Sequence, residues 1–214
     1  MKFYGQKYNG AAESTDEFLY RVLYSRIPPG FFIECGGLNG TSISNCKILE
    51  ECLSWRGLNI EPTSAFNALV VNRPKSINIK AVIGNQDFEI VEFTECITNI
   101  AASSFDQNLI NDAYEKKTIQ VPMYTYKTLL ELLNIQKVDF FSLDVEGFEI
   151  EVLKGMQGSI VLPTYIFIET HFSDKKLLYS KLSELGYERV AYFHLDELFK
   201  LTSRDGPTDI PSYK

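Results

Sequence analysis

The chain has 214 residues, 45% hydrophobic and 23% charged, which suits a single domain with a sizeable core and argues against disorder. Acidic residues outnumber basic ones 28 to 21, for a net charge of −7, and with no Lys/Arg run to offset it this disfavours nucleic acid and anionic membrane as partners. Met1–Gly10 is polar and lacks an apolar leader, and no apolar run approaches the ~18 residues of a membrane helix, so a soluble, cytoplasmic chain is expected.

In chain order, residues 1–30 form an N-terminal helical segment. Phe18, Leu19, Val22 and Leu23 recur at helical spacing within Thr15–Tyr24, Ser14 or Thr15 is placed to cap its start, and Pro28-Pro29 follows its end. Phe31–Cys35 is a near-continuous apolar run, as expected of a strand covered on both faces. A helix over Ile43–Leu53, a short strand Leu58–Ile60 and a helix over Ser64–Val71 come next. Asn78–Ile83 reads as a strand and Phe88–Phe93 as an edge strand of a hairpin. Residues 94–121 are rich in Asn, Ser, Thr and Asp and read as a variable loop, a substrate lid whose Tyr114, with Tyr124 and Tyr126 just beyond it, would stack on sugar faces. Then follow a Leu-rich helix over Thr128–Leu133, a strand Val138–Leu143, a helix over Phe148–Leu153, a strand Tyr165–Ile168, a helix over Lys175–Leu185 ending at Gly186, and a late strand Glu188–Phe193, antiparallel at the sheet edge. The tail from Thr202, with Gly206, Pro207 and Pro211, reads as irregular. Strand and helix alternate as in an open α/β sheet, Rossmann-like and mostly parallel, with helices on both faces.

Four segments carry chemistry. The turn Glu34-Cys35-Gly36-Gly37-Leu38-Asn39-Gly40 joins a buried strand to a helix, and its glycines let a ligand approach the main chain. It lacks the G-x-G-x-x-G spacing of a pyrophosphate site. About 20 residues on, the second strand ends in Glu61-Pro62, where an acid accepts hydrogen bonds from ribose hydroxyls. Val138–Leu143 delivers Asp144 and Glu146 to its carboxyl end, ahead of Gly147. Two carboxylates in a cleft call for a cationic partner: a sulfonium, an α-ammonium or a metal. Finally, Ile166-Phe167-Ile168 ends in Glu169 and His171, placing His171 as a candidate general base or, with Asp144 and Glu169, as a ligand of Mg or Mn. The four cysteines, Cys35, Cys46, Cys52 and Cys96, form no C-x-x-C pair and read as buried or half-buried free thiols.

At these residues the sequence resembles the FkbM family of methyltransferases. The resemblance runs from Phe31 to His171. It rests on Phe32–Gly40 with Ser44-Asn45, on Trp55–Pro62, on Asn72-Arg73-Pro74, on Ala81-Val82-Ile83-Gly84, on Val138–Gly147 with Glu149 and Glu151–Gly155, and on Ile168–His171. It implies a seven-stranded methyltransferase sheet, S-adenosyl-L-methionine as donor, and O-methylation of a sugar, glycan or glycoside such as a deoxyhexose. The cofactor contacts it implies are Glu34, Gly36, Gly37, Asn39, Gly40, Ser44, Glu61, Pro62, Ala81, Val82 and Asp144, with Glu34 near the amino group and His171, Asp144 and Glu146 at the chemistry. Glu34 stands where the family usually has Asp, and Gly37-Leu38-Asn39 alters the middle of its first loop. A NAD-dependent sugar oxidoreductase would also use the glycine turn and Glu61, although the Tyr-x-x-x-Lys pairing is missing; a non-catalytic adenosyl-binding domain is the non-enzymatic alternative. Oligomeric state leaves no mark on the sequence.

Overall fold

The computed structural model describes residues 1–208. Helix α1 spans Thr15–Val22, β1 Phe31–Cys35, α2 Lys47–Cys52, β2 Arg56–Ile60, α3 Phe66–Asn72, β3 Ile77–Ile79, β4 Val82–Gly84, β5 Glu89–Cys96, β6 Lys116–Thr125, α4 Tyr126–Leu132, β7 Phe140–Leu143, α5 Glu149–Gly155, β8 Tyr165–Glu169, α6 Lys175–Glu184, β9 Tyr187–Phe193 and β10 Asp196–Leu201.

Seven strands form the main sheet in the order β3-β2-β1-β7-β8-β10-β9. The pairings from β3 through β8 are parallel, whereas β10 runs antiparallel to both β8 and β9. The sheet is therefore mostly parallel, as expected, and mixed through its β8-β10-β9 end. Gly186 ends α6 with φ +86°, and β9 and β10 form a hairpin that returns to pair with β8.

Both faces of this sheet are covered, which explains why its strands are apolar without alternating. Phe32, Phe140, Tyr165 and Phe167 point to one side and pack with Phe18 and Leu19 of α1 and with Ile48 and Leu49 of α2. Their chain neighbours Ile33, Phe141, Ile166 and Ile168 point to the other side and meet Leu129 of α4, Val152 and Leu153 of α5, and Leu178 and Leu182 of α6. Each such large side chain, once fully buried, stabilises the fold by about 1.5–3 kcal/mol. Two helix starts are capped by a side chain: Thr125 accepts from Thr128 N, and Asp174 accepts from Lys176 N and Leu177 N; Ser14, expected to cap α1, instead donates its hydroxyl to Asp16 at 2.7 Å.

Two expectations fail here. Residues 78–83 are not one strand: the chain breaks after Ile79, β3 stays on the main sheet, and β4 joins a separate three-stranded sheet of order β4-β6-β5. Residues 94–121 are not all loop either, because β5 runs on to Cys96 and β6 begins at Lys116. What remains, residues 97–115, carries two 3-10 turns, Ile100–Ala102 and Gln107–Leu109, and is pinned back on β5 by paired backbone bonds between Thr94 and Ser104. Among the cysteines, Cys35, Cys46 and Cys96 are buried and Cys52 is exposed, all free. The irregular tail is described only as far as residue 208; Pro211 lies outside the described residues. Among those residues, no helix is long and apolar enough to cross a membrane.

Candidate active site

Because β1, β2, β7 and β8 are parallel, their carboxyl ends share one edge of the sheet, and an open α/β sheet leaves its crevice there. Gly36 terminates β1 with φ +79°, and a Cβ at this position would lie 2.1 Å from the backbone carbonyl oxygen of Asp144. Only glycine lets the ends of β1 and β7 approach so closely in this left-handed conformation. The cleft that opens beside them holds about 630 Å³ of empty space, its mouth included.

Glu61 forms one wall. It is 1% exposed, and its carboxylate accepts from Leu38 N at 2.9 Å, from Thr63 N at 2.8 Å and from the Thr63 hydroxyl. Burial raises its pKa, the bonds from Thr63 and Leu38 pull it down, and Glu95 pushes it up again, with a net rise. A carboxylate offers about four acceptor positions, so these three bonds leave room for one more donor from the cleft. Pro62, Ala81 and Val82 line the same wall.

Asp144 and Glu146 form the opposite wall. Glu146 has φ +52° and Gly147 φ +96°, so the chain turns through two left-handed residues at the end of β7. For Glu146 that conformation costs on the order of 1–3 kcal/mol. The turn is held by Glu149, in the first turn of α5, whose carboxylate accepts from Val145 N at 3.3 Å, Gly147 N at 3.1 Å and the Ser173 hydroxyl at 2.6 Å. Ser104 adds a bond to the Glu146 carbonyl at 2.8 Å.

Carboxylate oxygens of Asp144, Glu146 and Glu169 all lie within 4.8 Å of one another. Burial, joined by Glu149, pushes Asp144 up to about 7 against a bond with Glu169 that lowers it. Burial with Asp144 and Glu149 lifts Glu146 to about 8, and burial with Asp144, Glu146 and Asp196 lifts Glu169 to about 10. One Glu169 oxygen is buried with no hydrogen-bond partner. The antiparallel course of β10 adds a fourth acid: it sets Asp196 opposite Glu169, where the Tyr8 hydroxyl donates to it at 2.7 Å. Burial raises Asp196 to about 8, opposed by the bond from Tyr8 and assisted by Asp144.

His171 does not join this group. Among the described residues the acidic group close enough together to hold an ion is Asp144, Glu146 and Glu169, and His171 lies exposed with its ring against Phe172 at 4.6 Å. The expected metal set of Asp144, Glu169 and His171 is therefore corrected: the chain passes Thr170, which is buried and bonded to the carbonyl of Leu195, and turns His171 outward.

The first loop divides its work. Gly36 lines the cleft, and so do Leu38 and Ile43, which the sequence did not single out. Glu34 faces away: its carboxylate accepts from the Arg73 guanidinium at 2.9 Å, from Ser44 and from Cys46 N. Ser44 is thereby engaged with Glu34, the Asn39 side chain accepts from Thr41 N and Ser42 N, Gly37 packs beside Leu69, and Gly40 packs against Arg73.

Residues 97–115 contribute Ile100, Ala101, Ser103 and Phe105 to the lining of the cleft. Phe105 stacks on Phe148 at 4.1 Å and meets Phe93 edge-on at 5.1 Å. Phe105 was legible only as one aromatic in a polar stretch. None of the three tyrosines assigned to sugar stacking lines the cleft. Tyr126 is a core residue at 1% exposure, and Tyr124 packs against Phe88.

The model of the methyltransferase FkbM domain matches residues 34–189, from the carboxyl end of β1 into β9. The chain belongs to the FkbM methyltransferase family. Among curated proteins none matches it. For an FkbM methyltransferase the matched span holds both walls of the cleft, the 97–115 segment and Glu169, while Tyr8 and Asp196 come from outside it.

Proposed function

We propose that this FkbM methyltransferase binds S-adenosyl-L-methionine in the cleft and transfers its methyl group to a hydroxyl oxygen of a sugar acceptor. The observation that carries the proposal is the joining of Gly36, Glu61 and Asp144 in one cleft with an apolar wall on one side and uncompensated carboxylates on the other. The open acceptor position on Glu61 suits a ribose hydroxyl, Ala81, Val82 and Phe93 suit an adenine face, and the orphaned Glu169 oxygen and its neighbours suit positive charge.

The cofactor, when bound, supplies a methyl carbon on a sulfonium. The protein's own residues do the rest. Asp144 and Glu169 face the sulfonium end, where a positive charge would draw off the protons that burial holds on them, and Phe105 and Phe148 exclude water above it. Methyl transfer needs the acceptor oxygen in line at roughly 3–3.5 Å. A sugar hydroxyl then needs a base, and Glu146, lifted toward neutral pH and lining the cleft, is placed to take that proton on a carboxylate oxygen. If a divalent cation takes part, Asp144, Glu146 and Glu169 are its ligands.

Calorimetry with S-adenosyl-L-methionine, S-adenosylhomocysteine and NAD tests the cofactor, and a methyl-transfer screen over hexose and deoxyhexose glycosides, with Mg, Mn or EDTA, tests acceptor and metal. Binding of NAD alone, or no nucleotide binding at all, refutes the proposal; turnover unchanged by EDTA refutes the metal.

A further inference from the structure

We infer that Asn72 and Arg73, where α3 ends, are positioning residues that clamp the Leu38–Cys46 loop so that Leu38 and Ile43 face the cofactor cleft. The inference rests on the adenosyl assignment of the cleft. Neither residue lines the cleft, and the methyl-transfer chemistry gives neither a task.

The contacts are directional. Arg73 is 0% exposed. Its Nη1 donates to Glu34 at 2.9 Å and to the Ser44 hydroxyl at 3.2 Å, its Nη2 to the Cys46 carbonyl at 3.3 Å, and its Nε to Glu50 at 2.8 Å. Its stem fills the space above Gly40, where a Cβ would lie 2.6 Å from the Arg73 Cγ, and its guanidinium sits 5.2 Å over the Phe32 ring. Asn72 Nδ2 donates to the Asn39 carbonyl at 2.8 Å, and Lys47 returns a bond to the Asn72 carbonyl at 2.6 Å. The loop is thus tied at Asn39, Gly40, Ser44 and Cys46 to two consecutive residues. On its other side it offers Leu38 N to Glu61 and Leu38 and Ile43 to the cleft.

Burying one guanidinium against two carboxylates contributes little net stability compared with an apolar core of the same volume. Its value here is geometric: a planar fork with five donors reaches β1, the loop and α2 together, which an ammonium cannot do. Glu34, one methylene longer than Asp, is the β1 anchor of this fork.

The test compares wild type with Asn72→Ala, which removes one donor at the rim, and Arg73→Lys, which keeps the charge and loses the fork. Three quantities are read: the Kd for S-adenosylhomocysteine, the melting temperature, and amide exchange over residues 38–46 in the ligand-free protein. Asn72→Ala should weaken binding by about fivefold to tenfold, as loss of one hydrogen bond implies, with Tm lowered by no more than about 3 °C. Arg73→Lys should weaken it more, with exchange accelerated in residues 38–46 ahead of the strands, and with KM for S-adenosyl-L-methionine raised more than kcat falls. Unchanged Kd in both variants, or faster exchange spread evenly over the sheet, overturns the inference. If Arg73→Lys fails to fold, Asn72→Ala decides alone. A wild type that does not bind S-adenosylhomocysteine overturns the cofactor assignment and this role with it; a wild type that binds, with variants equal to it, overturns the clamp only.

Discussion

Replacing Glu169 by Gln should stabilise the ligand-free protein, and more at pH 8 than at pH 5. Its carboxylate oxygens lie within 4.8 Å of those of Asp144 and Glu146, and one of them is buried without a partner. At an effective dielectric of about 20, two unit charges at that separation repel by about 3 kcal/mol, and the partial exposure of Glu169 trims the usable part to about 1–2 kcal/mol. The sign follows from its raised folded-state pKa, about 10 against 4.5. Between those values the folded protein holds a proton that the unfolded chain has released, so stability is full below the lower value and falls as pH rises toward the upper one. Gln carries no such proton, and the variant escapes that loss. Urea unfolding with EDTA present, at pH 5 and pH 8, should give a gain of about 1–2 kcal/mol at pH 8 that shrinks to a few tenths at pH 5. A gain equal at both pH values, or a destabilised variant, would refute the view that this cluster is held under electrostatic strain.

Four further outcomes follow from the same geometry. Gly36→Ala should lose about 2–5 kcal/mol, from a left-handed alanine and a Cβ driven into the Asp144 carbonyl, and should lose S-adenosylhomocysteine binding in calorimetry. Glu146→Gln should lower kcat by about 10²–10⁴-fold and remove the rise in rate with pH through its pKa of about 8, because the base acts deprotonated; His171→Ala should stay within about threefold of wild type, and a large loss there would return the base role to His171. Phe105→Ala removes the stack on Phe148 and should raise KM for the acceptor several-fold while costing about 1–2 kcal/mol in urea melts.

The main sheet was legible because its signal is local: a run at Phe31–Cys35 that is apolar except for Glu34 needs both faces covered, and the structure reproduces that strand to the residue. Gly36, Glu61, Asp144 and Glu146 were legible because strand ends in such a sheet converge on one edge. The β4-β6-β5 sheet was not, since Lys116–Thr125 opens with three polar residues and contains Pro122, and gains its strand character by pairing with Glu89–Cys96 and Val82–Gly84. Asp196 and Tyr8 were invisible for a different reason: they reach the acids through the antiparallel return of β10 and a contact across 188 residues of chain, which no local pattern encodes. Glu34 was misdirected because an acid at the end of β1 reads the same whether it faces a ligand or a buried arginine; only its partner Arg73, supplied by α3, decides.

The return of β10 also sets an order on synthesis. Gly36, Glu61 and Asp144 have all left the ribosome well before Asp196 has, so the nucleotide side of the cleft can assemble on a partly made chain. The acidic side cannot, because Glu169 gains its antiparallel neighbour, and Asp196 its bond from Tyr8, only when Asp196–Leu201 emerges and slots between β8 and β9. The β9-β10 hairpin can dock on the β8 edge only once β10 has been made, and a chain stopped short of it would leave that edge unpaired, with β9 lacking its strand partner.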